Sequence, residues 1–336
     1  MKWYLQAGDH GDIVVSSRIR LARNINGYSF PNKMSDSDKR EVTIKVRDAV
    51  LNFDIGHDFQ YIEMDKISDI KALSMAEHHL ISPLFAENTG GRALLLYKDE
   101  SVSIMINEED HIRIQVLNSG LNLEAAYASA QKIDEIIAKA LPVAFDERLG
   151  YLTECPTNLG TGMRASLMLH LPALQAAGAM NNIGATVGKI GLTLRGAYGE
   201  GSRAVGDMFQ LSNQVTLGIS EETAISNLMS ITDQILERER TARNHFPEPE
   251  RIADAIYRAY GVLKYARYMG GEEFNDIISK IRLGVSMEII NEITLEKINE
   301  LIALTGQATL QENSGATLEP DARDRLRASV IRNKLV

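Results

Sequence analysis

Apolar and polar residues alternate along several short runs in the first half of the chain. In the run from 13 to 21, Ile19 and Leu21 share one face of an extended backbone, while Arg18 and Arg20 share the other. Alternation with this period is typical of a strand that is buried on one side. The run therefore predicts a strand with one core face and one cationic face.

A hairpin is predicted further along. The runs 102–106 and 112–116 alternate in the same way, and the polar tip 107–110 lies between them. The second run places Arg113 on the face opposite its apolar residues. An acidic tip is thus expected beside a third strand arginine.

Helical spacing and chain breakers organise the rest. Apolar residues at three- and four-residue intervals predict a helix over 123–141, and a strand-like run follows at 189–194. Ser220, followed by two glutamates, is typical of a helix N-cap and predicts a helix to about residue 239. The segment 245–249 contains two prolines and cannot continue it. Beyond it the pattern is helical, with Pro320 at the start of a last helix.

These elements predict an α+β protein with two domains. The first, residues 1–242, is a mixed catalytic block. The second, residues 243–336, is small and all-helical. No repeat period is detected along the sequence.

Composition narrows the class of protein. The chain has 336 residues, of which 44% are hydrophobic and 24% charged, as in ordinary globular proteins. Its one cysteine cannot form an internal disulfide, and no apolar run is long enough to cross a bilayer. The net charge of −9 argues against a protein that coats nucleic acid. We expect a cytoplasmic protein with neither a membrane nor a nucleic-acid partner.

Glycine-rich phosphate motifs do not fit. Residues 184–190 resemble a P-loop, but the glycine spacing is one residue short, and Ile190 follows Lys189 where a magnesium-binding hydroxyl belongs. Arginines are an alternative means of binding phosphate, because a guanidinium group can donate two parallel hydrogen bonds to phosphate oxygens. Taken singly, these arginines are equally consistent with solvated or carboxylate-paired surface charges.

Four ordered segments resemble one family. They are Ser16-Ser-Arg-Ile-Arg-Leu-Ala-Arg23, Asn107-Glu-Glu-Asp-His-Ile-Arg113, Cys155-Pro-Thr-Asn-Leu-Gly-Thr-Gly-Met-Arg164 and Arg195-Gly. Their order and spacing are similar to those of the ATP:guanidino phosphotransferases, the creatine and arginine kinases. The resemblance, over roughly residues 12–240, implies a phosphagen-kinase-type domain with an antiparallel sheet flanked by helices.

The branch of the family is indicated at both ends of the chain. The first motif begins at residue 16, so we expect no N-terminal helical domain of the kind that encloses small guanidino acids. This feature, the segment 195–200 and the C-terminal Arg323-Asp-Arg-Leu-Arg-Ala328 resemble bacterial protein-arginine kinases. The resemblance implies transfer of the ATP γ-phosphoryl group to arginine side chains of proteins, marking for Clp-type degradation and control of a stress repressor.

Two alternatives remain open from the sequence. One is a kinase of free arginine or another small guanidino compound. The other is a non-catalytic adaptor that binds phosphoarginine through its C-terminal helices. The adaptor is disfavoured because Glu109 and all five arginines of the family pattern are present together.

The resemblance also implies a nucleotide site, with magnesium bound through ATP phosphates and no metal site built from protein side chains. The nucleotide-binding residues it implies are Ser16, Ser17, Arg18, Ile19, Arg20, His79, Arg113, Arg164, Ala165, Ser166, Leu167, Met168, Arg195, Gly196, Ala197, Tyr198, Gly199 and Glu200. His78 is adjacent to His79, and the sequence leaves open which of the two contacts the nucleotide.

For the acceptor, the resemblance implies that Glu109 orients a guanidinium and takes its proton. Glu200 would hold the other edge of that group, and Cys155 would tune and pack the site rather than act as a nucleophile. An allosteric phosphoarginine pocket is implied at Arg323, Asp324, Arg325, Leu326, Arg327 and Ala328. A homodimer, an activator protein and a Clp chaperone-protease are the implied partners.

Overall fold

The computed structural model describes residues 2–197 and 204–335. The strands are β1 Val14–Arg23, β2 Phe59–Glu63, β3 Ala93–Tyr97, β4 Val102–Ile106, β5 Ile112–Ser119, β6 Phe145–Asp146, β7 Gly150–Tyr151, β8 Met163–His170, β9 Leu192–Gly196 and β10 Met208–Asn213. The helices are α1 Asp36–Leu51, α2 Asp69–Glu77, α3 Pro83–Glu87, α4 Leu123–Ala140, α5 Pro172–Ala176, α6 Met180–Gly188, α7 Glu221–Asn244, α8 Pro249–Tyr265, α9 Gly271–Ser286, α10 Leu295–Thr305, α11 Gln307–Ser314 and α12 Pro320–Leu335.

An antiparallel sheet is the centre of the first 244 residues. The described strands pair in the order β2-β3-β4-β5-β1-β8-β10-β9, while β6 and β7 form a separate small hairpin. Directly opposed residues of antiparallel strands lie on the same face of a sheet. The alternating pattern of each strand therefore builds two continuous faces, as expected from the sequence.

One face is the main hydrophobic core. Ile19 and Leu21 of β1 oppose Val116 and Ile114 of β5, and all four are buried. Helix α4 packs against β1 and β5, and α7 packs against β8 and β10. The predicted strand near the N-terminus, the hairpin and the helix beginning at residue 123 are all present.

The other face of the sheet has two halves. Over β3 and β4 it is apolar, and the side chains of α2 and α3 bury it in a second cluster that includes Leu94, Met105 and Phe85. From β5 to β9 the same face carries arginines instead. Helix α2 ends at the border between the two halves, and this placement matters for the site.

The helices after residue 248 have a hydrophobic cluster of their own, drawn from α8, α9, α10 and α12. Ser220 caps α7 by accepting the Thr223 N–H, and α7 ends at Asn244, before the proline-containing segment. Pro320 opens α12, as the sequence predicts. The described chain contains no helix that is both long and apolar enough to cross a membrane.

One strand prediction is wrong in its bounds. The run 189–194 was expected to be extended, but β9 covers Leu192–Gly196. Helix α6 runs through Gly184 to Gly188, and a turn with Gly191 at φ 77° follows it. The P-loop-like segment is therefore largely helical, in agreement with its exclusion as a phosphate loop.

Candidate active site

Arginines from four neighbouring strands share the open half of the sheet. Arg20 of β1 lies opposite Arg164 of β8, and Arg113 of β5 lies opposite Ala22, two residues beyond Arg20. Arg195 of β9 follows on the same face, opposite Gln210 of β10. The sheet register thus brings together the arginines that the sequence scatters over 178 residues, from Arg18 to Arg195.

Positive charge is concentrated most strongly around Arg20. Burial lowers the pKa of its guanidinium well below the usual value, and Arg18, Arg113 and Arg164 lower it further, while Glu108 opposes them. Burial and the like charges of Arg195 and Arg113 similarly lower the pKa of Arg164. The buried Nε atoms of Arg20 and Arg164 find no hydrogen-bond partner in the described part of the chain.

Buried donors without acceptors and mutually repelling charges cost stability unless an anion joins them. A polyphosphate supplies both the acceptor oxygens and the opposite charge. The arginine face therefore fits the phosphates of a nucleotide.

Some residues of the predicted nucleotide segments face the other way. Ser17 donates its hydroxyl to the Gly120 carbonyl at 2.7 Å, and Ile19 is fully buried in the main core. Ala165 and Leu167 are likewise buried there. Strand alternation turns these four side chains away from the arginine face, so any contact they make with a nucleotide would come from the main chain, and their assignment stays a prediction.

A narrow cleft borders the arginine face near the end of α2. Ser16, Arg18, His79, Ser166 and Gln210 line it, together with Met168. Within it, Arg18 donates to Ser166 Oγ at 3.2 Å and to Gln210 Oε1 at 2.9 Å. The predicted segments 16–20 and 164–168 thus meet in one place.

The structure separates the two adjacent histidines. His78 Nε2 lies 2.9 Å from the Ala303 carbonyl of α10, and its ring stacks on Tyr4. His79 lines the cleft instead. Burial, then the nearby charges of Arg18 and His78, lower the pKa of His79 to about 4. His79 is therefore a neutral imidazole at neutral pH.

The acidic tip between β4 and β5 is held rigidly. Asn107, at φ 62°, donates its side-chain amide to the Lys39 and Gly91 carbonyls. His111 is fully buried, receives the Ile25 N–H at Nδ1, and its Nε2 lies 2.8 Å from the Ser29 carbonyl. Burial lowers the pKa of His111, which suits this neutral tautomer.

The two glutamates of the tip differ in exposure but share one partner. Glu108 is buried, pairs with Arg113 and accepts the Ser82 hydroxyl. Glu109 keeps 37% of its side chain exposed, and its Oε2 accepts from Arg113 Nη2 at 3.0 Å. Arg113 therefore joins the acidic tip to the arginine face, which places Glu109 beside the cationic cluster.

The tip also holds the cysteine segment. The buried Asp110 accepts the Glu154 N–H at 2.8 Å through Oδ1, and Cys155 follows directly. Burial raises the pKa of Glu154, and the carboxylates of Asp110 and Glu109 add to the effect. Cys155 is half-buried, and its Sγ lies 3.0 Å from Thr157 Oγ1. Candidate base and candidate cysteine thus occupy neighbouring loops.

The glycines after Cys155 have a steric explanation. Gly160 has φ 100°, and a β-carbon there would run into the Thr216 carbonyl. Gly162 has φ 61°, and its β-carbon would meet Arg23 Nη1 and the Ala22 carbonyl. Both positions require a residue without a side chain.

The loop after β9 is only partly described. Gly196 pairs with Phe209, and the Ala197 N–H donates to the Met208 carbonyl at 2.8 Å. Tyr198, Gly199 and Glu200 lie outside the described residues. The proposed role of Glu200 therefore stays a prediction.

The C-terminal motif lies on α12, and its members differ in their contacts. Arg327 is buried and donates to the Thr305 and Met269 carbonyls and to Asp324, at 2.7–3.0 Å. Arg323 is half-buried and donates to the Leu318 carbonyl at 3.2 Å. The remaining members divide between surface and interior. Arg325 is exposed and pairs with Asp321, Leu326 is half-buried and Ala328 is buried.

Sequence reasoning missed three contributors to the site. Gln210 accepts a hydrogen bond from Arg18, and Glu108 forms an ion pair with Arg113. Gln115 Nε2 donates to the His79 carbonyl at 2.8 Å. Only Gln115 left a signal, because it alternates with Arg113 along its strand. Glu108 lies in the acidic tip five residues before Arg113, but no sequence pattern indicates that the two side chains pair, and the Arg18–Gln210 contact joins residues 192 apart.

Two family models match this chain over most of its length. A model of the "ATP:guanido phosphotransferase, C-terminal catalytic domain" matches residues 41–242. A model of the "Protein-arginine kinase McsB C-terminal domain" matches residues 249–336.

Curated relatives match over almost their whole length. A protein-arginine kinase of Brevibacillus brevis is 47% identical over 99% of this chain and 94% of its own. Another from Halothermothrix orenii is 43% identical over 99% of this chain and 96% of its own.

Solved structures share the fold. The duplicated taurocyamine kinase from Schistosoma mansoni with bound transition-state analogue components has a TM-score of 0.64 at 28% identity. That match covers 75% of this chain and 38% of the duplicated one. Lombricine kinase has a TM-score of 0.60 at 26% identity and covers 70% of each chain.

Proposed function

Because this chain belongs to the ATP:guanidino phosphotransferase family of kinases, we propose that it phosphorylates arginine side chains of protein substrates with ATP. The observation that carries the proposal is the arginine face with Glu109 at its border, held there by Arg113. The positive charge of the arginine face suits the phosphoryl donor, ATP. The exposed carboxylate of Glu109 suits the guanidinium group that accepts the phosphoryl group. The curated relatives named protein-arginine kinases support the choice of acceptor.

The phosphate side of the mechanism follows from charge. Five arginines hold the phosphate oxygens, and their fixed positive charge stabilises the negative charge of the transferring group. They are Arg18, Arg20, Arg113, Arg164 and Arg195. A magnesium ion, held by the ATP phosphates rather than by protein side chains, would supply further neutralisation of that charge. His79, neutral at pH 7, contacts the nucleotide without adding charge.

The acceptor side must remove a proton. A guanidinium has a pKa above about 12 and no lone pair free for attack. As its nitrogen bonds to the γ-phosphorus and the bond to the ADP oxygen breaks, one N–H proton passes to a Glu109 carboxylate oxygen. Because Arg113 already donates to Oε2, Oε1 is the oxygen left to the acceptor among the described contacts. Glu200 is proposed to hold the opposite edge of the guanidinium.

The segment around Cys155 shapes the same pocket. Its thiol lies near a hydroxyl rather than a histidine base, since Sγ is 3.0 Å from Thr157 Oγ1. We assign Cys155 to packing and tuning beside the acceptor, without a covalent role. Glu154, whose pKa burial raises, contributes to the acidic character of this side.

Mass spectrometry tests the activity directly. The full chain is incubated with MgATP and either a folded arginine-rich protein or free arginine, and products are kept at neutral or alkaline pH because N–P bonds are acid-labile. We expect phosphorylated arginine in the protein and at least about 100-fold less product per unit time from free arginine, a difference of about 2.7 kcal/mol between the two barriers. Preferential labelling of free arginine would favour the small-substrate alternative, and absence of any product would favour the adaptor.

The C-terminal motif is proposed to form a phosphoarginine pocket that activates the enzyme. Arg327 is committed to Thr305, Met269 and Asp324 and stabilises the helices, so Arg323 is the better position to test. We expect Arg323→Ala to raise the phosphoarginine concentration for half-activation about tenfold, as expected for a lost charge-assisted bond. The KM for ATP should not change.

The matched control is Arg251→Ala, since Arg251 is exposed, pairs with Glu248 and lies outside the motif. Activation by phosphoarginine should be retained in that variant. An unchanged activation curve in Arg323→Ala would show that Arg323 is not part of a phosphoarginine pocket.

The remaining assignments are proposals of the same kind. They are a catalytic domain over 1–242 and a helical domain over 243–336 that mediates a homodimer, together with a cytoplasmic location. Marking of substrates for Clp-type degradation, control of a stress repressor and an activator partner belong to the same proposal. Exposed Tyr257 and Tyr265 on α8 offer apolar area for a dimer contact.

A further inference from the structure

The turn that carries His79 is attached to the C-terminal helices. Glu77, the last residue of α2, reaches the start of α11, where Oε1 accepts the Ala308 N–H at 2.7 Å. Its Oε2 accepts the Thr309 N–H at 2.9 Å and the Thr309 hydroxyl at 2.8 Å. The first N–H groups of a helix have no partner within the helix. Glu77 thus caps α11 from a distant part of the chain.

Gly306 makes this approach possible. A β-carbon at that position would collide with the Glu77 carboxylate. Two further contacts join the same elements: Ser74 Oγ lies 3.2 Å from Thr309 Oγ1, and His78 Nε2 lies 2.9 Å from the Ala303 carbonyl. The end of α2 is therefore fixed to the junction of α10 and α11 at several points.

The other side of the turn is fixed to the arginine face. Gln115, which lies opposite Arg20 in the sheet, donates to the carbonyls of His79 and Leu80 at 2.8 and 3.2 Å. His79 has φ 60°, a backbone conformation that a non-glycine residue adopts only when its surroundings hold it there. The sheet and the C-terminal helices together supply that support.

The junction of α10 and α11 also contacts the C-terminal motif. The Thr305 carbonyl, immediately before Gly306, accepts from Arg327 Nε at 3.0 Å. Residues 305–309 therefore lie between Arg327 on one side and Glu77 on the other. A short run of direct contacts joins the C-terminal module to the turn at the cleft.

We propose that Glu77 is a positioning residue for the nucleotide, which acts by capping α11 and so fixing the 78–79 turn with His79 at the cleft. The C-terminal helices thereby set the affinity for ATP. The proposal rests on the proposed function, because it takes the cleft beside Arg18 as the nucleotide site.

Glu77→Gln in the full chain tests the proposal. Glutamine carries no charge and has an NH₂ donor in place of one carboxylate oxygen, so one of the two oxygens that accept the α11 N–H groups is lost. We expect the KM and the calorimetric Kd for ATP to rise about tenfold, the effect of losing a strong cap, while kcat stays within about twofold. Glu77→Asp, which keeps the charge on a shorter side chain, should give an intermediate KM.

Gly306→Ala attacks the same contact from the other side. We expect the same rise in KM, and the double variant Glu77→Gln/Gly306→Ala should be no worse than the stronger single variant, because both remove one interaction. Glu63→Gln is the matched control: this glutamate pairs with Lys66 on the surface and should leave KM and kcat unchanged.

Two results would overturn the proposal. One is an unchanged ATP affinity in folded Glu77→Gln while the wild type binds MgATP, which leaves the proposed function intact. The other is a loss of activity in Glu77→Gln that appears only in kcat and is fully explained by a smaller fraction of folded protein, measured by thermal unfolding. If Glu77→Gln does not fold, Thr309→Val removes one of the three bonds and should raise KM about threefold; no rise there also overturns it. Wild-type protein that fails to bind MgATP would contradict the proposed function and this inference together.

Discussion

Arg20→Met is expected to remove most of the affinity for ATP and, at the same time, to raise the melting temperature of the ligand-free protein. Arg20 is the most strongly destabilised cation of the arginine face, since burial and three neighbouring arginines all lower its pKa. A hydrogen bond from a cation to phosphate contributes about 1.5–3 kcal/mol, so we expect the Kd for ATP to rise about 100-fold.

The ligand-free protein is expected to gain stability because the substitution removes a charge that its neighbours repel. Arg20 is half-buried among like charges, and replacing such a poorly compensated charge with an apolar side chain is often stabilising, by about 1 kcal/mol. For an unfolding unit of about 240 residues, the size of the proposed catalytic domain, that corresponds to a rise in Tm of about 2 °C. Calorimetry of binding and of thermal unfolding measures both effects on one preparation.

Arg195→Met is the matched control, because Arg195 is exposed on the edge strand β9. Its Tm should stay within about 1 °C, and its ATP affinity should fall by about tenfold. A lower Tm in Arg20→Met with unchanged ATP binding would mean that Arg20 supports the fold rather than the nucleotide.

Glu109→Gln is expected to reduce phosphoryl transfer by about 10³-fold, within the range found for positioned general bases. Glutamine is isosteric and can still accept a hydrogen bond from Arg113, so the cationic face should keep its arrangement. The Kd for ATP should therefore stay within about twofold. Rapid-quench measurement of phosphoarginine formation separates the chemical step from binding.

Glu108→Gln provides the comparison within the same tip. Glu108 is buried against Arg113 and Ser82, so its change should lower the free energy of unfolding and leave much more activity than Glu109→Gln. Wild-type turnover in Glu109→Gln would exclude it as the base. Equal losses in both variants, with ATP binding retained, would mean that the tip acts only by holding Arg113.

The sequence predicts the local elements of the site well where a single periodicity of apolar and polar residues determines which side chains share a face. Alternation alone places Arg18 and Arg20 opposite Ile19 and Leu21, and the structure confirms both faces. The hairpin around the acidic tip is confirmed for the same reason. Pro320 and Ser220 mark helix starts because their backbone chemistry acts within one turn.

Features that depend on distant contacts could not be predicted. The pairing of β1 with β8 brings Arg20 opposite Arg164 across 144 residues of sequence, and only the family resemblance indicated that they meet. The sequence also gives no indication that α2 and α3 cover β3 and β4, which leaves only half of the arginine-bearing sheet face open. The expected strand start at residue 189 is wrong because α6 extends to Gly188 despite its two glycines.

Gly160 and Gly162 restrict how this protein can change over generations. Each has positive φ and abuts the main chain of another segment, Thr216 in one case and Ala22 in the other. A single codon change at either position would displace a neighbouring strand or loop, and no rotamer adjustment could absorb it. A replacement at either site therefore requires a simultaneous rearrangement of the partner segment.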